Sequence, residues 1–184
     1  MNTSIITELM LYFAKFPKRE GVLKMFNKGS SNIAGYSDLK QNIQTLPEHS
    51  LLDINDYVFG ANLDAVRDRV NKIYNNYLFV DFGEIDFDRD RFNRESDTMR
   101  MAVSVGTRLK EFSSDLVEQA LAFDQNLILL NAIRSKMKED QKTHPWLKDI
   151  SVGHTFTPLV APQLFSIGWT MIFTRNGYES LGAK

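Results

Sequence analysis

One apolar stripe constrains this chain more than any other feature. Leu116, Ala120, Phe123, Leu127, Leu130, Ile133 and Met137 recur every three or four residues. That spacing predicts an α-helix over roughly 114–138 with one face against a core. Ser113 or Ser114 can cap its start. Asp115 and Glu118 near its beginning, and Arg134, Lys136 and Lys138 near its end, suit the helix dipole. So long an amphipathic helix needs an apolar layer beneath it, and the flanking sequence supplies one as strands.

Residues 77–87 (Tyr-Leu-Phe-Val-Asp-Phe-Gly-Glu-Ile-Asp-Phe) are rich in aromatic and β-branched side chains. Met99, Met101, Val103 and Val105 alternate with smaller or polar residues, the period of a half-exposed strand. Between them lies a run of alternating charge, so the two strands form a hairpin with a long charged tip. Further alternation over 150–159 and 164–174 predicts two more strands. Pro158 and Pro162 bracket their connection, which makes 155–163 an edge or a bent link.

The N-terminal third is less regular. Ile5, Ile6, Leu9, Met10, Phe13 and Phe16 mark a helical face, with Thr3 or Ser4 as cap and Pro17 as stop. Residues 21–26 add a short turn. Leu63, Val66, Val70 and Ile73 predict a second amphipathic helix, with Arg67, Asp68, Arg69 and Lys72 on its other sides. Gly, Ser and Asn cluster over 27–37, and Pro47 and Gly60 punctuate residues 38–60. The whole of 27–60 therefore reads as an irregular arm with short helical turns. The tail from Arg175 is polar. The expected fold is α+β: an antiparallel sheet of about four strands, with the long helix and the N-terminal helices packed on one face. At 184 residues the chain fits one domain spanning 1–184.

Composition excludes more than it selects. A net charge of -1 argues against a dedicated nucleic-acid or membrane-surface binder. The absence of cysteine excludes disulfides, thiolate catalysis and sulfur-ligated zinc. The N-terminus has no basic stretch and Glu8 interrupts its apolar run, so no signal peptide is expected. The apolar run at 127–133 is far shorter than the ~20 residues that span a bilayer.

Catalytic signatures are absent too. His49, His144 and His154 have no helical spacing to one another, and no nucleophile elbow, phosphate loop or dinucleotide fingerprint occurs. Asp86, Asp88, Asp90 and Asp97 match positions 1, 3, 5 and 12 of a calcium loop. Arg91, however, stands where the turn needs glycine, and Arg89 and Arg94 would repel a cation. No metal, cofactor or enzymatic role is expected. The tip reads better as a subunit interface in which Asp88, Arg89, Asp90, Arg91, Arg94, Glu95 and Asp97 pair across copies and fix register. The locally basic segment 15–28 is a solvated helix end whose Phe16 and Phe26 serve the core, with at most a weak contact to DNA phosphates.

From Tyr77 to Phe173 the chain resembles the tail-terminator and neck-ring proteins of tailed bacteriophages. The similar features are the strand Tyr77–Ile85, the partner Met99–Val105, the helix over 114–138 and the closing strand Ser166–Phe173. The likeness is one of architecture, and the arm at 27–60 has no counterpart in it. It implies a homo-oligomeric ring, most often a hexamer, that caps the tail tube and joins it to the head-side connector. It also implies genome DNA passing through the lumen, no cofactor, no membrane, and a place in the virion after assembly in the host cytoplasm. The alternative from the residues alone is a non-enzymatic ligand-binding or adaptor protein with an apolar pocket under the long helix.

Overall fold

The structure, a computed structural model, describes residues 5–28, 30–47, 53–89, 95–109, 115–151 and 153–177, with backbone alone for 89, 95 and 177. It is an α+β arrangement around a five-stranded sheet in the order β1-β2-β3-β5-β4. The strands are β1 (Asp56–Gly60), β2 (Asn76–Arg89), β3 (Glu95–Arg108), β4 (Thr155–Ala161) and β5 (Ser166–Gly177). The helices are α1 (Ile5–Ala14), α2 (Arg19–Leu23), α3 (Tyr36–Thr45), α4 (Arg67–Val70) and α5 (Leu116–Asp140).

The expected hairpin is present: β2 and β3 pair antiparallel from Asn76↔Thr107 to Arg89↔Glu95. A bulge between Asp81 and Glu84 bends β2. Gly83 takes φ +59° there, and a Cβ at that position would collide with the carbonyl oxygen of Arg100, so only glycine fits. β5 pairs antiparallel with β3 along its whole length, and β4 with the first half of β5. Pro158 sits in β4, an outer strand, as a residue without an N–H donor requires.

The sheet departs from expectation in two ways. It has five strands instead of four, and it is not wholly antiparallel: β1 runs parallel to β2, from Asp56↔Tyr77 to Gly60↔Asp81. β1 lies inside the stretch expected to be irregular. Its first residue, Asp56, is buried at 6% exposure, with Arg69 and Lys24 each 3.4 Å from its carboxylate. The charge that makes 53–60 look like loop is thus matched by cations brought from elsewhere in the chain. The strand expected at 150–159 begins only at Thr155, and Ile150 makes a single bridge to Arg175. The helix expected over 63–73 is reduced to Arg67–Val70.

The larger core lies on one face of the sheet, where Leu78, Val80, Met99, Met101, Val103, Val105, Met171 and Phe173 meet Leu9 and Phe13 of α1 and Leu130, Ile133 and Met137 of α5. Each such fully buried side chain contributes about 1.5–3 kcal/mol. Helices are not confined to that face. Val66, Val70 and Ile73, in and around α4, cover Val58, Tyr77 and Phe79 on the other.

α5 starts one or two residues later than a cap at Ser114 or Ser113 would place it. Asp115 is the cap, accepting hydrogen bonds from the amides of Val117 (2.9 Å) and Glu118 (3.1 Å). Its buried face is Ala122, Asn126, Leu130, Ile133 and Met137: the second half of the expected stripe, Leu130, Ile133 and Met137, is buried as expected, whereas in the first half Leu116 and Ala120 are exposed and Phe123 and Leu127 only half-buried. The first half departs because Asn126 belongs inside. Fully buried, its side-chain amide donates to the Thr107 hydroxyl (2.9 Å) and to the Ile167 carbonyl (3.4 Å).

Candidate functional site

Turning α5 inward on Asn126 leaves other apolar residues outside. Leu116, Val117, Leu121 and Ile128 are 60–75% exposed. At about 100° per residue, Val117, Leu121 and Ile128 fall on the side opposite the buried face. Ala122 packs with Leu109 and with Ile167, the second residue of β5. The turns before Ala122 therefore project past the end of the sheet at which β2 and β5 begin and β3 stops.

More apolar surface gathers at that end. Tyr74, just before β2, is 83% exposed; Val160 and Phe165, beside the start of β5, are 54% and 41% exposed. The Arg108 guanidinium lies 5.9 Å from the rings of both Tyr74 and Phe165, and it donates to the carbonyls of Asn71 and Ile73. Phe165 has φ +50°, a left-handed conformation that carries it over the edge. Its carbonyl accepts from the Leu109 amide at 2.7 Å. Lys72, between the two residues whose carbonyls Arg108 bonds, is exposed.

The opposite end is the hairpin. β1 stops at Gly60↔Asp81, so β2 is an outer strand from the bulge onward. Along it Glu84, Asp86, Phe87 and Asp88 are exposed, Phe87 by 73%. Glu84 faces Arg100 at 3.7 Å. Of the expected interface residues, Asp88, Arg89, Glu95 and Asp97 lie on this described part of the hairpin. Asp97 is only 6% exposed, between Phe87 and Gly177 in register, so it offers little surface. Asp90, Arg91 and Arg94 lie outside the described residues. Among the described residues, no group of three or more His, Asp or Glu side chains could hold a metal ion, and no helix is long and apolar enough to cross a membrane.

A separate polar cluster joins α1 to the end of α5. Asp140 receives Lys15 at 2.5 Å, Lys136 at 3.0 Å and the Tyr12 hydroxyl at 3.0 Å. Burial pushes the Asp140 carboxyl up, but the hydrogen bonds from Lys15, Lys136 and Tyr12 outweigh it and hold the group at about 2. Burial also drives the Tyr12 hydroxyl far above its ordinary range. For Lys15 burial wins over the bond to Asp140 and the ammonium is pushed down. The two partners thus pull in opposite senses, and the sign of the pairing is read from Asp140, which has three donors.

Beside this cluster is a cleft of about 450 Å³, lined by Glu8, Leu11, Tyr12, Lys15, His144 and Trp146. Tyr12 and Trp146 stack at 5.8 Å. Trp146 Nε1 and His144 Nδ1 are buried without hydrogen-bond partners. Burial, and then the nearby Lys15, push the His144 imidazole down. The cleft lies between α1 and the turn at 145–147, not under α5 where an apolar pocket was expected. His154 packs on Phe173 at 5.7 Å between ring centres and bonds the Ser151 carbonyl, a structural placement. His49 lies outside the described residues.

Charge patterning singles out the hairpin but misses the far end of the sheet. Tyr74, Arg108 and Phe165 are distant in the chain, and only the pairing of β2, β3 and β5 brings them together. No protein-family model, no curated protein and no solved structure matches this chain.

Proposed function

We propose that this chain is a structural subunit of a ring at the neck or tail of a tailed bacteriophage. It acts by shape and interface, without cofactor or catalysis. The assembly half of this reading is carried by one observation: α5 is apolar on two opposite sides, and only one of them is buried in the protein. Several aliphatic side chains in water along one helix mark a surface that another protein covers. The tail or neck setting rests on the architectural resemblance over 77–173. In that setting the ring is a homo-oligomer, with a hexamer favoured. It caps the tail tube, meets the head-side connector, passes DNA through its lumen, and reaches the virion after assembly in the host cytoplasm. Native mass measurement of the purified chain, followed by negative-stain imaging, tests the proposal. Closed rings with a central hole are the expected result, and a strict monomer at every concentration, with or without tail tubes, would remove it.

The Tyr12–Trp146 cleft favours a second reading, a ligand-binding protein, because its walls are aromatic and two buried nitrogens there lack partners. A small aromatic acid that fits it would raise the melting temperature by mass action. An unmoved melting temperature across a panel of such acids counts against this reading.

A further inference from the structure

A strap closes one end of the main core. Residues 144–151 follow α5, form the turn at 145–147 and cross to the last part of β5. Trp146, Leu147 and Ile150 are buried in the core that Tyr12, Phe13 and Phe173 share. Polar contacts fasten the strap to β5. The Ser151 amide donates to the Thr174 carbonyl at 2.8 Å, the Asn176 amide to the Asp149 carbonyl at 3.0 Å, and Arg175 Nε to the Trp146 carbonyl at 3.3 Å. A histidine stands at each end. The His144 amide donates to the Asp140 carbonyl at 2.7 Å, and His154 Nε2 bonds the Ser151 carbonyl at 3.1 Å. In both rings Nδ1 is buried without a hydrogen-bond partner.

We infer that the two histidines form an acid-sensitive latch: protonation of His144 and His154 releases the 144–151 strap and uncovers Trp146, Leu147 and Ile150. This goes beyond the proposed assembly and does not depend on it. His154 Nε2 meets a carbonyl and so carries the proton of the neutral ring, which leaves Nδ1 bare. A second proton would sit at Nδ1, away from solvent and with no acceptor, on a ring that has become charged. Burial is the largest influence on both rings and opposes the charge. Around His154, Arg134 and Lys138 of α5 oppose it too, and only the Ser151 carbonyl favours it. Around His144, Lys15 of α1 opposes it, while Asp140 of α5 and Glu8 of α1 favour it. Both imidazoles are held below their ordinary range. The sign follows by linkage. A ring freed into water binds its proton readily, so the open form takes up more protons than the closed one. The closed strap keeps its full stability above about pH 6.5 and loses it as pH falls below that value. Asp140, held at about 2, stays ionised over the same range and keeps α1 on α5 through Lys15. Acid therefore opens the strap and leaves the helix pair in place.

Hydrogen exchange of the full chain tests this, read by mass spectrometry at about pH 7.5 and 5.5 and corrected for the intrinsic pH dependence of exchange. One pH unit below the free value of 6.5, each histidine favours the open strap by up to about tenfold. Peptides covering 144–151 should exchange severalfold faster in acid, up to about a hundredfold with both rings acting. Peptides covering β3 should not change. His144→Gln and His154→Gln do not titrate, so each should reduce the acceleration and the double variant should abolish it. The double variant keeps His49, which separates that residue from the latch. A second measurement needs no variant: in the magnetic-resonance titration of the parent chain, two of its three imidazoles should titrate below 6.5. Strap exchange that ignores pH overturns the inference. So does an acceleration that survives in the double variant, an equal acceleration in β3, or a titration in which fewer than two rings fall below 6.5.

Discussion

Leu130 and Leu121 stand on opposite sides of α5, and replacing each by alanine measures which way the helix faces. Leu130 is fully buried and Leu121 is 60% exposed. Trimming leucine to alanine removes three carbons, about 2.4 kcal/mol of transfer free energy where burial is complete. The cavity left in a packed core raises that to about 3–4 kcal/mol for Leu130→Ala. At Leu121 less than half of the side chain is covered, so the transfer loss is about 1 kcal/mol. No cavity forms there, and the better helix propensity of alanine offsets part of it. The expected values differ by at least about threefold. For a chain of this size, Leu130→Ala should lower the melting temperature by about 7–14 °C and Leu121→Ala by about 4 °C or less. Urea unfolding followed by far-UV circular dichroism gives the free energies. Work at low protein concentration keeps self-association from adding to them. Leu116→Ala, at a position 75% exposed that sequence periodicity would bury, should behave like Leu121→Ala. Equal losses at Leu130 and Leu121, or a larger one at Leu116, would refute the orientation of α5 and the exposed apolar surface that depends on it.

Local geometry dictates two further outcomes. The Asp140 carboxyl is held at about 2 in the folded chain against 3.8 for the free group, so it contributes stability that is fully present above pH ~4 and lost as pH falls toward 2. Asp140→Asn should remove about 1–2 kcal/mol at neutral pH, with solvent screening allowed for, and flatten the acid limb of a stability-against-pH curve between those values. An unchanged limb would deny the pairing with Lys15 and Lys136. Gly83→Ala should destabilise by at least about 2 kcal/mol in the same urea assay, since alanine there is both left-handed and in collision with the Arg100 carbonyl. A neutral result would mean that the bulge is absent.

Elements whose identity is written in local periodicity are legible in the sequence. The β2–β3 hairpin, α1, α5 and β5 lie within a few residues of their expected positions, because alternation and three-to-four spacing need no knowledge of partners. Two of the departures depend on distant residues. β1 opens with an aspartate that belongs inside only because Arg69 and Lys24 come to meet it. The phase of α5 depends on Asn126, a residue that periodicity assigns to solvent and that Thr107 and Ile167 draw inward. The same limit explains the candidate surface. The charged run after Phe87 is visible as a run, whereas Tyr74, Arg108 and Phe165 become neighbours only once β2, β3 and β5 are paired.

The placement of β5 between β3 and β4 has a consequence for how the chain reaches its fold. β2 and β3 are joined by a short connection and can zip up early. Even the nearest-spaced partners of β3 and β5, Arg108 and Ser166, are separated by all of α5 and β4. Loop-closure entropy makes such pairings slow. β5 also comes after every other strand in chain order, so during synthesis β3 waits with one open edge and α5 with part of its buried face bare. Met171 and Phe173 close the core last. This interval, when an unpaired strand and an uncovered apolar helix coexist, is when the chain is most open to aggregation. A chaperone that holds the nascent chain until β5 emerges would therefore raise the yield of folded subunits more than any stabilisation of the hairpin.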